Sequence, residues 1–232
     1  MIDLTLVIPA YNEAPNLEKL IDKLSVLNAP NIEIIIVDNG SSDKIVDTFK
    51  DMPFREKNIK LIRKPENTGY GAGILFGLSA ARGNILSWCH ADLQTNPADV
   101  LKAYEIFKNR QNDFLLVKGA RVRRLGLAVL LSKSMQVFAS LVLGYRLNEI
   151  NAQPKLFSKV AYEEFLERQP PNDFSLDLAI IFFFMKRGYK VAEFPVTFED
   201  RVAGNAKGGG ANIITIISIS MRAINFILRL RK

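Results

Sequence analysis

The sequence predicts an α/β protein built on a doubly wound, mostly parallel sheet. Short apolar runs rich in Ile, Val and Leu alternate with helical patterns through the first 120 residues, and this alternation is typical of strands joined by crossover helices. An acidic or polar cluster directly follows several of these runs, which places carboxylates at the carboxyl ends of parallel strands, where open α/β sheets bind ligands. The 232 residues suffice for one large domain with a full core.

Seven strands are predicted because the runs are short, apolar and suited to burial on both faces. Five of them lie in the amino-terminal half, at residues 4–9, 32–38, 59–63, 85–89 and 114–118. Two more are predicted at 155–158 and 190–196.

Helices are predicted between the strands from apolar residues at helical spacing and from end signals. The first covers 16–27, and the second is capped by Ser42 and Asp43 and ends at Phe49. Three more cover 72–81, 97–110 and 174–187. Gly83 and Gly188 stand where glycine commonly ends a helix.

Two further helices, at 125–145 and 212–231, combine broad apolar faces with positive charge. The net charge of +7 arises in two segments, 114–148 and 201–232, each with six basic residues and no acid, whereas acids outnumber bases elsewhere. Lys133 interrupts the first helix and Arg222 the second, so neither is expected to span a membrane. We expect them to lie on an anionic membrane surface; packing on the protein or at a dimer interface is the alternative. Interleaved aromatic residues are sparse there, which argues against a nucleic-acid partner.

The amino terminus and the cysteine content indicate the compartment. Met1 leads straight into a strand pattern, without the basic start and cleavage site of a secretory signal peptide. The single Cys89 excludes an internal disulfide and fits a reducing compartment. We therefore expect a cytoplasmic protein that is peripheral to the cytoplasmic face of a membrane.

Four motifs follow predicted strands in chain order. They are Pro9-Ala10-Tyr11-Asn12-Glu13, Val37-Asp38-Asn39-Gly40-Ser41, Asn67-Thr68-Gly69-Tyr70-Gly71 and His90-Ala91-Asp92-Leu93-Gln94. A carboxylate such as Asp38 can accept an N–H from the edge of a uracil or guanine base. Several carboxylates around one crevice can hold a nucleotide and a divalent metal together.

With Gly119-Ala120-Arg121, residues 151–157 and Arg201-x-x-Gly204-x-x-Lys207, these motifs resemble those of a family 2 glycosyltransferase of the GT-A fold. Within that family the chain is most similar to polyprenyl-phosphate sugar transferases of the dolichyl-phosphate mannose synthase type. The resemblance runs from about residue 4 to 207. It implies a GT-A domain at 1–210, with a nucleotide-sugar half at about 1–120 and an acceptor half at about 121–210. A basic amphipathic helix would follow at 211–232.

The resemblance also implies roles for individual residues. The nucleotide would be bound by residues of the early motifs: Pro9, Tyr11, Asn12, Glu13, Asp38, Gly69, Gly71 and Ala91. A divalent metal, Mn²⁺ or Mg²⁺, would be held by Asp92, Gln94 and His90. Arg121 and Lys155 would meet an acceptor phosphate. Catalysis would involve Asp92 and Asp177, with Arg201 and Lys207 on a mobile loop that closes over the diphosphate.

The chain departs from the family pattern at four positions. The metal motif usually reads Asp-Ala-Asp, and His90 stands in place of the first Asp. A nitrogen ligand suits Mn²⁺ better than Mg²⁺. Ala206 replaces a serine, Glu149 an Asp, and Ala179 an acid that many relatives carry.

Simpler structural explanations exist for several of these residues. His90 could be a strand-end residue bonded to a backbone carbonyl, and Asp38 a helix cap. Glu13 could merely open the first helix, where an acid is favoured by the dipole. Asp177 could be a solvated helix residue. Arg201 and Lys207 could be ordinary basic loop residues.

The expected reaction is metal-dependent, inverting transfer of a sugar from a GDP- or UDP-linked donor to a polyprenyl phosphate. The oxygen of such an acceptor is already anionic, so no strong base is needed, whereas a sugar hydroxyl would require Asp177 to take its proton. One alternative is a family 2 transferase that extends a cell-surface polysaccharide or lipopolysaccharide glycan. A further alternative is a weakly catalytic nucleotide-sugar-binding scaffold. The oligomeric state is left open.

Overall fold

The structure, a computed structural model, describes residues 1–52, 58–110, 112–122, 127–199 and 213–231. These ranges contain seven strands: β1 Leu4–Ala10, β2 Ile32–Asn39, β3 Ile59–Lys64, β4 Ile85–Trp88, β5 Leu115–Val122, β6 Lys155–Ser158 and β7 Lys190–Thr197. They also contain eight α-helices: α1 Leu17–Leu24, α2 Ile45–Asp51, α3 Tyr70–Ser79, α4 Asp99–Arg110, α5 Leu127–Leu143, α6 Lys159–Leu166, α7 Leu176–Lys186 and α8 Ile213–Leu230.

All seven strands form one sheet in the order β3-β2-β1-β4-β6-β5-β7. Strand β6 runs antiparallel to both of its neighbours, β4 and β5, and the other strand pairs are parallel. The predicted α/β class and mostly parallel sheet are thereby confirmed. The strand order changes direction at β1, which lies between β2 and β4, and ligands of open α/β sheets bind at such a switch point.

The central strands are apolar along their whole length because both faces of the sheet are covered. In β2, Ile34 and Ile36 belong to one buried cluster with residues of α1 and α4, whereas Ile35 and Val37 belong to a second cluster with residues of α3 and α7. Successive side chains of a strand point to opposite faces. A strand between two helical layers therefore needs a continuous apolar run, which is the pattern that the sequence shows.

The observed helices depart from the prediction at α1 and at α6. The single helix predicted over 16–27 is wrong in detail, because 3₁₀ turns at Ala14–Asn16 and Ser25–Leu27 flank the shorter α1. The Ser25 hydroxyl donates to the Asp22 carbonyl at 2.7 Å, a local bond that competes with regular helix. Helix α6 was not predicted. It follows β6 without a break, since Ser158 ends the strand and its Oγ also accepts the Ala161 N–H at 3.1 Å as the cap of α6.

The carboxy-terminal part of the chain is integrated with the sheet. Strands β5, β6 and β7 bring residues beyond 114 into the same sheet as β1, while the predicted division at residue 210 stays a prediction. Helices α5 and α8 contact each other, and Ile227 of α8 is fully buried in the second cluster. Within the described ranges, no helix combines the length and apolar character needed to cross a membrane.

Candidate active site

The loops after β1 and β2 form one cross-linked wall at the carboxyl edge of the sheet. The Asn12 side-chain oxygen accepts the Ser42 N–H at 2.8 Å, and the Asn12 N–H donates to Ser41 Oγ at 2.9 Å. The Ala14 N–H donates to Asp43 at 2.9 Å. Asn12 has a φ of 54°, in the left-handed region that asparagine tolerates well. The two loops that carry predicted nucleotide-binding residues are therefore held in a fixed relative position.

Asp38 lies at the end of β2 and is fully buried. Its Oδ1 accepts the Ser41 N–H at 2.8 Å and so closes the turn after the strand. Its Oδ2 is 3.3 Å from Arg63 Nε, an ion pair that lacks hydrogen-bond geometry, so this buried oxygen keeps unused accepting capacity. Asp38 thus caps a turn rather than a helix. Its predicted contact with a base stays a prediction that would use Oδ2.

Glu13 and Asn16 form a buried, hydrogen-bonded pair in the loop after β1. Asn16 Nδ2 donates to Glu13 Oε2 at 2.6 Å, and Glu13 immediately precedes the first 3₁₀ turn. The position fits the simpler explanation that Glu13 opens a helical segment. Its predicted role at the nucleotide stays a prediction, as do those of Pro9, Tyr11 and Ala91.

Gly69 and Gly71 make room for the backbone that precedes α7. Gly69 has a φ of +125°, and a Cβ there would lie 2.3 Å from the Asn172 carbonyl oxygen. A Cβ on Gly71 would lie 2.6 Å from the Pro171 oxygen. Asn39 Nδ2 donates to the Gly69 carbonyl at 2.9 Å and ties this turn to β2. Close backbone packing therefore explains both glycines, and their role at the ribose or sugar stays a prediction.

The predicted metal motif directly follows β4. Asp92 is 9% exposed, and its Oδ1 accepts the Gln94 N–H at 3.2 Å. Gln94 is joined to the segment that follows β7, since its carbonyl accepts the Glu199 N–H at 2.8 Å. His90 is half-buried, and its Nε2 lies 2.9 Å from the Tyr70 hydroxyl. The partner of His90 is thus a tyrosine, not the backbone carbonyl of the simpler explanation.

The donor set of this motif fits a shared divalent ion. A carboxylate, an amide oxygen and an imidazole nitrogen together suit Mn²⁺. Throughout the described part of the chain, no group of three His, Cys, Asp or Glu side chains could hold an ion. Three side chains would leave an octahedral ion short of ligands, and a bound diphosphate would supply the others. Cys89, beside the motif, is buried; burial, with the Asp92 charge, raises the pKa of its thiol.

Asp177 lies in a buried polar network behind the metal motif. Its Oδ1 is 2.6 Å from Lys155 Nζ and 3.0 Å from Gln153 Nε2, and its Oδ2 accepts from the Tyr70 hydroxyl at 3.3 Å. Asp177 is only 2% exposed, so it is not a solvated helix residue. Burial lowers the pKa of Lys155 to about 8 although the Asp177 charge opposes the shift. Burial also raises the pKa of Tyr70 well above its usual value, with Asp177 contributing.

The predicted acceptor residues differ in accessibility. Arg121 Nε pairs with Glu149 Oε2 at 2.6 Å, and its guanidinium lies 5.4 Å from the centre of the Phe198 ring. Lys155 is fully buried, so in this conformation it neutralises Asp177 and reaches no solvent. Its contact with an acceptor phosphate stays a prediction. Arg201 and Lys207 lie outside the described residues.

Three further polar residues of this region were not singled out from the sequence. Tyr70 and Gln153 lie within motifs in which only other residues were given a role. Lys118 is fully buried beside Glu193 at 3.1 Å, and burial lowers its pKa. A lysine within the apolar run of β5 was the available indication, because a buried charge needs a partner.

The sheet order, with polar loops gathered at the switch point beside β1, defines the GT-A type of glycosyltransferase fold. The chain matches the model of glycosyl transferase family 2 over residues 5–157, and it belongs to that family. Its fold is similar to the crystal structure of glucosyl-3-phosphoglycerate synthase from Mycobacterium tuberculosis in complex with Mn²⁺, UDP and glucosyl-3-phosphoglycerate. The TM-score is 0.73 at 18% identity, over 99% of this chain and 80% of that one.

Two of the sequence relatives are named for dolichol or dolichyl phosphate. The chain is 27% identical over 214 residues to a dolichol-phosphate mannosyltransferase of Pyrococcus furiosus, covering 90% of this chain and 60% of that protein. It is 26% identical over 212 residues to the dolichyl-phosphate beta-glucosyltransferase ALG5A of Trichomonas vaginalis, covering 85% of this chain and 66% of the relative. The chain therefore spans less than two thirds of the length of these curated relatives.

Proposed function

We propose that the chain transfers a sugar from a nucleotide-diphosphate sugar to a polyprenyl phosphate. The observation that carries the proposal is that Asp38, Asp92 and the cross-linked loop at Asn12 all lie at the carboxyl ends of the adjacent parallel strands β2, β4 and β1. Membership of glycosyl transferase family 2 supports sugar transfer, and the names of two dolichyl-phosphate relatives support the lipid acceptor.

The donor would occupy the edge formed by β1, β2 and β4. Asp38 would meet the base, and Asp92, with Gln94 and His90, would hold Mn²⁺ or Mg²⁺ beside the diphosphate. The bound ion supplies positive charge that stabilises a diphosphate leaving group. The structural relative was crystallised with Mn²⁺ and UDP, which supports a uridine donor and Mn²⁺; a guanosine donor remains within the proposal. Arg201 and Lys207 would add positive charge over the phosphates.

The hydrogen bonds that Asp177 already accepts favour a phosphate acceptor over a hydroxyl acceptor. Three donors, from Lys155, Gln153 and Tyr70, already engage its two oxygens. A general base must be free to reach the proton that it removes, whereas a phosphate oxygen needs no deprotonation. Arg121 would meet the acceptor phosphate in exchange for its present partner Glu149, whose Oε2 lies 2.6 Å from Arg121 Nε.

The surface of α5 and α8 supports attachment to a membrane. Val137 and Leu141 of α5 are 55% and 78% exposed and lie one turn apart. Ile217, Met221 and Leu228 of α8 are also exposed and fall on one face at helical spacing. We call these five residues the apolar stripe. Arg222 and Arg229 are exposed beside it. An apolar stripe flanked by arginines is typical of helices that lie in the interface of an anionic membrane. This supports attachment to a membrane surface, and the cytoplasmic face is the part of the proposal that comes from the sequence.

Product analysis with defined substrates tests the proposal. The protein is incubated with GDP- and UDP-linked sugars, Mn²⁺ or Mg²⁺, and either a polyprenyl phosphate or a soluble glycan. We expect a glycosylated lipid from one donor and little product from the glycan. Product from the glycan alone would favour the chain-extending alternative. Donor binding without any turnover would favour the scaffold.

A further inference from the structure

Three hydrogen-bond contacts meet at the Tyr70 hydroxyl, and the hydrogens can be arranged to satisfy all three. The oxygen lies 2.9 Å from His90 Nε2, 3.2 Å from Gln153 Nε2 and 3.3 Å from Asp177 Oδ2. A phenol offers one donor and two acceptor lone pairs. The three contacts can therefore coexist only if one partner accepts and the other two donate.

The chemistry of the partners decides which one accepts. The Asp177 carboxylate can only accept, and it also accepts from Gln153 Nε2 at 3.0 Å, which fixes the amide with its NH₂ group towards the carboxylate. Gln153 therefore donates to Tyr70, and the Tyr70 proton goes to Asp177. The remaining contact requires that His90 donates, with its proton on Nε2.

We infer that Tyr70 is a positioning residue that holds His90 as the Nε2–H tautomer and leaves Nδ1 as the nitrogen that can bind a metal ion. Among the described residues, Nδ1 has no hydrogen-bond partner. A metal-binding histidine commonly donates its other N–H to a fixed acceptor, which orients the ring and sets the tautomer. The metal part of this inference rests on the proposed function, whereas the tautomer does not.

Packing fixes the position of the hydroxyl. The Tyr70 ring stacks on Phe174, with the ring centres 4.9 Å apart, and meets the His90 ring edge-on at 5.5 Å. Asp177, the acceptor at the end of the relay, is held by Lys155 of β6 at 2.6 Å. His90 is thus supported from α3, β6 and α7 together.

The tautomer is directly measurable because His90 is the only histidine of the chain. In ¹⁵N-labelled protein without a histidine tag, long-range ¹H–¹⁵N spectra of the neutral ring give a single imidazole pattern. We expect a protonated Nε2 and an unprotonated Nδ1 in the unliganded protein. Tyr70→Phe keeps the ring stack and removes the hydroxyl, so its spectrum should shift towards a mixture of tautomers. An Nδ1–H tautomer in the wild-type protein overturns the inference, whether or not the variant folds.

Metal-dependent nucleotide binding provides the second readout. Titration with UDP and GDP, each with Mn²⁺, should show affinity about 10-fold weaker in Tyr70→Phe than in the wild type for the nucleotide that binds. The metal-free affinity should be unchanged. Tyr189→Phe is the matched control, since it removes another tyrosine–carboxylate bond, the one to Glu164 at 3.0 Å, and should behave as wild type.

The two readouts separate failure of the inference from failure of the proposed function. If neither nucleotide binds wild-type protein with Mn²⁺, the proposed function fails, and the tautomer measurement still decides the role of Tyr70. If Tyr70→Phe retains both the wild-type spectrum and the wild-type Mn²⁺-dependent affinity, Tyr70 does not position His90. A pure Nε2–H wild type with a mixed tautomer and weaker metal-dependent binding in the variant supports the inference.

Discussion

Asp92 is the residue on which the proposed metal site depends most. It contributes the one carboxylate of the motif, and an oxygen anion is the ligand that Mg²⁺ and Mn²⁺ both accept. We expect Asp92→Ala to lower turnover by more than about 100-fold and to remove the metal dependence of donor binding. Calorimetric titration with and without Mn²⁺ measures the second effect. Glu164→Ala, which removes a carboxylate from α6, serves as the control. Full activity in the Asp92 variant would contradict the metal mechanism.

Cys89 gives a second prediction for a single residue. The side chain is 1% exposed, and burial raises the pKa of its thiol, so the reactive thiolate is scarce. We expect the native protein not to react with a chromogenic disulfide reagent at pH 8. Unfolding in guanidinium chloride should release one equivalent, since the chain has one cysteine. Rapid labelling of native protein would show that the end of β4 opens readily.

For single residues, the sequence singled out candidate site residues but not the side chains that they contact. Asp38, Asp92 and His90 were singled out because each lies at or just after the end of a predicted strand, and a strand end is a local property of the chain. The Tyr70 hydroxyl meets residues 83 and 107 positions away. Such pairings depend on how distant segments pack, so no local pattern contained the relay between His90 and Asp177.

Between elements, the ion pair of Lys155 and Asp177 joins β6 to α7. Both side chains are at most 3% exposed, and the two atoms lie 2.6 Å apart. Loss of one partner leaves a buried charge, so we expect Lys155→Met to lower the free energy of unfolding by about 3–5 kcal/mol. The double variant Lys155→Met with Asp177→Asn should lose less than the sum of the single variants. Urea denaturation of all four proteins measures this coupling. Additive losses would mean that the pair does not act as a unit.

Helix α3 meets the sheet through Gly77. A Cβ there would lie 2.3 Å from Val7 Cγ1 and 2.7 Å from Val37 Cγ2. Overpacking costs about 1–3 kcal/mol, which offsets the gain of about 1 kcal/mol in helix propensity. We expect Gly77→Ala to destabilise the protein, with thermal unfolding as the measurement. The double variant with Val7→Ala should lose less than the sum of the two single variants, because the shorter side chain relieves the clash. Additive losses would place the cause elsewhere.

The elements differ in how far local sequence determines them. β1 and β2 were predictable because burial on both faces demands an unbroken apolar run. The antiparallel direction of β6 was not predictable, since four residues of one strand do not specify the direction of the neighbours. Helix α6 was missed because neither glycine nor proline separates it from β6, and Ser158 belongs to both.

For the whole molecule, the apolar stripe on α5 and α8 carries the membrane prediction. Leu141, Ile217 and Met221 are each more than half exposed, so their replacement should not disturb folding. We expect the triple serine variant to bind anionic vesicles at least about 10-fold more weakly, because it loses apolar contact with the lipid. Vesicle sedimentation at low and high salt measures the change. Truncation before α8 is a poorer test, because Ile227 of that helix is part of the core.

A matched control uses apolar residues that are exposed elsewhere. Val26, Val160 and Leu166 are 64%, 51% and 41% exposed, and their triple serine variant should retain vesicle binding. Equal binding by both variants would exclude the stripe as the contact. A dimer that dissociates only in the stripe variant would instead identify the two helices as a protein interface.

The burial of Ile227 has a consequence for how the enzyme would meet its acceptor. Because α8 is anchored in the core, a membrane-bound α8 would fix the tilt and height of the whole catalytic body above the lipid headgroups. The proposed polyprenyl phosphate acceptor would diffuse in the same plane, so the encounter would become a two-dimensional search. The rate would then follow the surface density of the lipid, that is, its mole fraction in the bilayer. At a constant mole fraction, dilution of the vesicle suspension would leave the turnover of bound enzyme unchanged.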